Sequence, residues 1–126
     1  MRTLRLSIIL AMFVVPSSFA FGDTEALGEV NAARAQRGLP PFIHDQDLYR
    51  AAAGCADFRA ERLIAGHTSN DFAALPKGAT ATAAGCAAWE PSWGWGSCCT
   101  FDSYTYAGAA YTVGSDGRRY MHLFVR

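Results

Sequence analysis

From residue 24 onward the period of the apolar positions changes along the chain, and the changes mark the elements. In EALGEVNAARAQR, residues 25–37, Leu27, Val30, Ala33 and Arg34 fall at i, i+3, i+6 and i+7, with the alkyl stem of Arg34 as apolar cover. That spacing predicts a helix. Asp23 and Thr24 can cap it, and Gly38 followed by Pro40 and Pro41 ends it. FIHD, residues 42–45, reads as a short extended link. A second helix, LYRAAAGCADFRAERLIA at 48–65, follows a cap at Asp45 or Asp47 and is closed by Gly66. Leu48, Ala51, Ala52, Cys55 and Phe58 share one of its faces, and Ala53, Ala56, Ala60, Leu63 and Ile64 fill most of the remainder. A helix this apolar has neighbours on more than one side, and its small residues allow a close approach. Arg59 and Arg62 interrupt the apolar surface near its end, which predicts that this end opens to a cleft or to solvent.

Beyond the second helix the period shortens. Residues 67–78, HTSNDFAALPKG, read as loop, and ATATAAGCAAW at 79–89 sets β-branched threonines among alanines, which predicts a strand. EPSWGWGSCCTF at 90–101 is broken by Pro91, Gly94 and Gly96 and cannot be a long regular element. YAGAAYTV and RRYMHLFV flank GSDG, the pattern of an antiparallel hairpin closing the chain. Period two sets Tyr120, His122 and Phe124 on one face of the last strand, and Met121, Leu123 and Val125 on the other. Helices first and strands last, without βαβ alternation, predict an α+β layered domain.

The first twenty residues follow different rules. Arg2 and Arg5 precede an apolar run at 6–15 that stops at Pro16, and Ser18 and Ala20 occupy the small-residue positions of a cleavage site. This is the pattern of a signal peptide at 1–20, too short for a membrane anchor. Removing 20 of the 126 residues leaves 106, which predicts a single domain at 21–126 with no membrane span after cleavage. Loss of Arg2 and Arg5 leaves nine basic residues against eleven acidic ones, a balance that gives no reason to expect nucleic acid as a partner. The expected destination is the medium, the periplasm or the cell envelope.

All four cysteines, Cys55, Cys86, Cys98 and Cys99, lie after the cleavage site and are disulfide candidates in an oxidising compartment. Cys86 to Cys98 or Cys99 would close a short local loop, but four cysteines admit three full pairings. An alternative use is metal binding, with His67, Cys86 and Cys98 as nitrogen and sulfur ligands. Trp89, Trp93 and Trp95 read as corner packing or as an aromatic wall for a sugar or lipid. His44 precedes a helix cap and is expected at the surface, whereas His122 is expected to be a satisfied sheet-face histidine. No G-x-S-x-G nucleophile motif is present.

Three segments in order carry a resemblance. EVNAARAQRGLPPF, then DQDLYRAAAGCADFRAERLIAGHTS, then YAGAAYTVGSDGRRYMHLFV resemble the first helix, the second helix with its following histidine, and the closing hairpin of the CAP superfamily: cysteine-rich secretory proteins, antigen 5 and pathogenesis-related 1, or SCP-like domains. The resemblance covers residues 24–125 and implies an α-β-α sandwich, with helices on both faces of an antiparallel sheet. It also implies a cleft with two histidines and two acidic residues, which in some members bind a divalent metal. His67 matches the first histidine. The Gly-Glu-Asn motif falls on AGCAA, with Gly85 or Cys86 in place of the glutamate, and the second histidine position falls on Trp95. Glu90 is the carboxylate nearby. The expectation is an exported, non-catalytic binding or interaction module without cofactor, its cleft lined by His67, Trp89, Glu90, Trp93 and Trp95. Its ligand would be a small apolar molecule, a glycan or a protein. The alternative is a degenerate hydrolase or a metal-binding protein using His67 with Glu90 or with cysteine ligands.

Overall fold

A computed structural model of the chain describes residues 25–89 and 99–126, with Trp89 described by its backbone alone. The signal-peptide segment, the caps at Asp23 and Thr24, and Glu90, Trp93, Trp95 and Cys98 lie outside the described residues. The architecture is mixed α/β, with two helices and a four-stranded mixed sheet. Helix α1 spans Glu25–Gln36, strand β1 Ile43–His44 and helix α2 Gln46–Arg62. A 3-10 turn at Phe72–Ala74 precedes strands β2 (Ala83–Trp89), β3 (Tyr106–Val113) and β4 (Arg119–Val125).

Asp45 is the residue that caps α2, its Oδ1 accepting from the Leu48 amide at 2.9 Å. The helix ends earlier than Gly66, at Leu63, which takes the left-handed conformation. Strand order is β1-β3-β4-β2, with β4 antiparallel to both neighbours. Tyr106 to Val113 and Arg119 to Val125 pair as the hairpin pattern requires, and the Gly114 amide closes the turn by donating to the Arg118 carbonyl. The expectation of a wholly antiparallel sheet fails at β1. FIHD is more than a link, because Ile43 and His44 pair parallel with Tyr106 and Ala107.

The period-two reading of β4 fixes the layers. Met121, Leu123 and Val125 pack with Ala107 and Ala109 against Ala26, Leu27 and Val30 of α1. Phe124 and Ala110 pack on the opposite face against Leu48, Ala51, Ala52 and Cys55 of α2. The small residues of α2 bring its backbone so near that a Cβ on Gly108 of β3 would lie 2.0 Å from the Tyr49 amide nitrogen, so only glycine fits there.

Two arginines are buried fasteners: Arg34, on the helix face where its stem is expected as apolar cover, and Arg59, which is expected to interrupt the apolar surface. In α1, Arg34 is 1% exposed; its Nε donates to the Pro40 carbonyl at 2.8 Å and its Nη1 to Thr100 and Asp102 carbonyls at 2.8 and 2.9 Å. Arg59 of α2 is fully buried, whereas Arg62 and Leu63 at the helix end are exposed, so the expectation of an end open to solvent holds for Arg62 and fails for Arg59. The Arg59 guanidinium donates to four carbonyls: Ala65, Gly66, Met121 and Ala87. It therefore ties the turn after α2 to β4 and β2, and His67 is the next residue in that turn. A guanidinium suits this task because its five donors are fixed in a plane.

Candidate functional site

The turn fastened by Arg59 delivers His67 beside Asp71, one helical turn further along the chain. His67 Nδ1 lies 2.6 Å from Asp71 Oδ2, with the imidazole side chain 49% exposed and the carboxylate 4% exposed. A carboxylate only accepts, so Nδ1 carries the proton and Nε2 keeps its lone pair when His67 is neutral. The other carboxylate oxygen is also engaged. Asp71 Oδ1 accepts from the Thr68 amide at 3.3 Å and from the Thr68 hydroxyl at 3.1 Å. Burial pushes the Asp71 carboxyl upward, but the hydrogen bond from His67, the charge of His122 and the Thr68 contacts outweigh it and hold the group below the usual carboxylate range.

Strand β4 supplies the second imidazole. His122 stands on the α2 face, opposite Cys86 on β2 and Ala110 on β3. Its ring meets that of His67 edge-on with centroids 6.0 Å apart, and that of Phe124 at 4.8 Å. Nε2 of His122 lies 3.9 Å from Asp71 Oδ2, beyond hydrogen-bond reach. The expectation of a satisfied sheet histidine is thus overturned: the side chain is fully buried and neither ring nitrogen has a hydrogen-bond partner among the described residues. Burial drives its pKa down to about 4; the Asp71 charge works against this shift, and those of Arg59 and His67 add to it. Near neutral pH His122 is therefore uncharged.

Helix α2 adds sulfur. Cys55 is a buried thiol whose Sγ donates to the Asp71 carbonyl at 3.5 Å. Burial, followed by the negative charge of Asp71, pushes its pKa up to about 12. A thiol so firmly protonated is no nucleophile at neutral pH. Cys55 also lines a pocket of about 380 Å³ with Gly54, Phe58, Thr68, Asn70, Ala73 and Ala74. Thr68 and Cys55 belong at once to the pocket wall and to the surroundings of Asp71.

Of the sequence-derived site, the structure places His67 beside Asp71 in the loop after α2, and Trp93, Trp95, Glu90 and the Trp89 side chain lie outside the described residues. His44 is half-buried on β1, its Nε2 3.1 Å from Gln46 Oε1. Among the described residues no disulfide joins two cysteines. Cys55 and Cys86 are on the α2 side of the sheet, and Cys99 is in the core beneath α1. Pairing of Cys86 with Cys98 lies outside the described residues, as does the ligand set of His67, Cys86 and Cys98. Asp71 and His122, neither of them among the sequence-derived site residues, place a carboxylate and a second imidazole beside His67. Asp71 was missed because it lies in a polar loop; its one sequence signal is the four-residue spacing from His67 with Thr68 between them. No protein-family model matches the chain, and no curated protein matches it. Among the described residues no helix is long and apolar enough to cross a membrane.

Proposed function

We propose that the chain is an exported, CAP-like domain of α-β-α design that binds a small, largely apolar ligand carrying a hydrogen-bonding group. The observation that carries this reading is the pocket between α2 and residues 68–74. Its wall is mainly Gly54, Cys55, Phe58, Ala73 and Ala74, with Thr68 and Asn70 as polar points. Its volume falls within the roughly 300–1,000 Å³ typical of small-molecule sites, which combine apolar walls with a few fixed polar groups. The His67–Asp71 pair, adjoining Thr68 in the chain, offers a half-exposed imidazole held in one orientation.

A second reading, a hydrolase with His67 as general base, is favoured by the same 2.6 Å pair. Among the groups packed around that pair, however, Cys55 is a protonated thiol turned to a carbonyl, and the Thr68 hydroxyl donates to Asp71. Neither is poised as a nucleophile, and the binding reading needs none.

Gly54 allows a clean test. It lies within α2 on the pocket wall, and a Cβ built on it meets nothing within 4 Å. Gly54→Leu should stabilise the helix by about 0.5–1 kcal/mol while filling the pocket. Titration of the full chain with anilinonaphthalene sulfonate, an apolar dye with an acidic group, should show one saturable site whose affinity drops at least tenfold in Gly54→Leu. Equal affinity in the two proteins, or the absence of saturable binding, would contradict the reading.

A further inference from the structure

We propose that Cys55, Asp71 and His122 form a binding site for one divalent transition-metal ion of the zinc class. The three donors come from α2, from the loop that follows it, and from the central strand β4, and their ligand atoms all lie within 4.8 Å of one another. Convergence of sulfur, oxygen and nitrogen from three separate elements does not arise from local sequence. None of the three is a position at which the family resemblance places a ligand, and the inference stands apart from the ligand-binding reading.

His122 supplies the independent observation. A buried polar group without a partner is costly, and buried side chains nearly always find one. Among the described residues His122 has no hydrogen-bond partner for either ring nitrogen at zero exposure, yet its Nε2 faces Asp71 Oδ2 across 3.9 Å. That gap is too wide for a hydrogen bond. A tetrahedral ion that holds a nitrogen at about 2.0–2.1 Å and a carboxylate oxygen at about 2.0–2.2 Å sets the two roughly 3.4 Å apart, so binding would draw the pair together by about half an ångström.

The surroundings are arranged as metal ligands require. Thr68 fixes Asp71 Oδ1 through two hydrogen bonds, and His67 Nδ1 donates to Oδ2, so the carboxylate is oriented from outside. The mixture of thiol, imidazole and a single carboxylate suits zinc and its neighbours, whereas magnesium and calcium call for oxygen donors alone. Cys55 lines the pocket, which gives an ion a way in and leaves a further coordination position facing the space a ligand would occupy. Binding breaks the Cys55 S–H bond as the Sγ–metal bond forms, and the proton passes to solvent, one per ion bound.

Cobalt(II) reports the site through its spectrum. The full chain, stripped with chelator and kept reduced, is titrated with Co²⁺ and followed by absorbance. The proposal predicts saturation at one ion per chain, a thiolate-to-cobalt charge-transfer band in the near ultraviolet, and displacement by Zn²⁺. Cys55→Ser should abolish the band, and His122→Gln should weaken binding at least tenfold, with circular dichroism confirming that each variant is folded. A charge-transfer band that survives in Cys55→Ser, cobalt bound without such a band, or no uptake by the unsubstituted chain would each overturn the proposal. Because the readout is the metal's own spectrum, its failure is distinct from failure of dye binding.

Discussion

Replacing Arg59 with methionine is expected to cost about 4 kcal/mol, enough to leave this small domain at the edge of folding. Methionine fills much of the aliphatic volume but donates nothing. The carbonyls of Ala65, Gly66, Met121 and Ala87 would then lose the guanidinium that now serves them. Met121 is buried and Ala87 half-buried, and each such acceptor left without a donor costs roughly 1–3 kcal/mol, whereas the carbonyls of exposed Ala65 and Gly66 turn to water. The total stability of a domain is about 5–15 kcal/mol. The damage should begin in the turn at 63–67, so His67 loses its place beside Asp71 before the sheet opens. Arg59→Lys keeps a charge but offers one ammonium in place of a planar fork, and should fall between the two. Urea denaturation followed by circular dichroism measures both losses; a loss below about 1 kcal/mol for Arg59→Met would show that the Met121 and Ala87 carbonyls do not depend on it.

Acidification gives the second large effect, through His122. Its folded pKa of about 4 lies below the ordinary value of 6.5, so on lowering the pH the unfolded chain takes up a proton before the folded one does. The fold's full stability is present above about pH 6.5 and is lost as pH falls toward 4, amounting to roughly 3 kcal/mol between pH 7 and pH 4. The titratable and charged groups facing the ring include Asp71, Arg59, His67 and the Cys55 thiol. Asp71, whose pKa is also depressed, adds loss of the same sign at still lower pH. His122→Leu removes two unpartnered nitrogens from among apolar neighbours and should be at least as stable as the parent at pH 7, with a flatter profile down to pH 4. Urea midpoints in chelator-containing buffer decide it: parallel pH profiles for the two proteins would mean that His122 does not titrate in this window.

The parts of the fold legible in the sequence were those written locally. Both helices, a cap at Asp45 or Asp47 and the β3–β4 pairing follow from the sequence pattern, and period two correctly set Tyr120, His122 and Phe124 apart from Met121, Leu123 and Val125. Strand β1 was not legible, because two residues hold no period and their pairing depends on β3, more than sixty positions away. The burial of Arg59 was not legible for a related reason, and of Arg34 only the apolar cover by its stem was. Charge in a sequence suggests solvent, while the carbonyls that bury these guanidinium groups come from turns and strands that only the folded chain assembles. The site shows the same division. His67 stood out through a resemblance, which directed attention to residues 90–98. The imidazole and carboxylate that surround it in the described structure come from β4 and from a loop whose only local mark is the spacing of His67 and Asp71.

The account rests on one buried carboxylate, Asp71, facing two imidazoles in different states. A long-range nitrogen–proton correlation spectrum of the histidine rings, recorded on the metal-free full chain from pH 8 to pH 3, reads those states directly. His67, while neutral, should carry its proton on Nδ1, and His122 should remain neutral until about pH 4. A proton on Nε2 of neutral His67, together with a His122 that gains charge near pH 6.5, would contradict it.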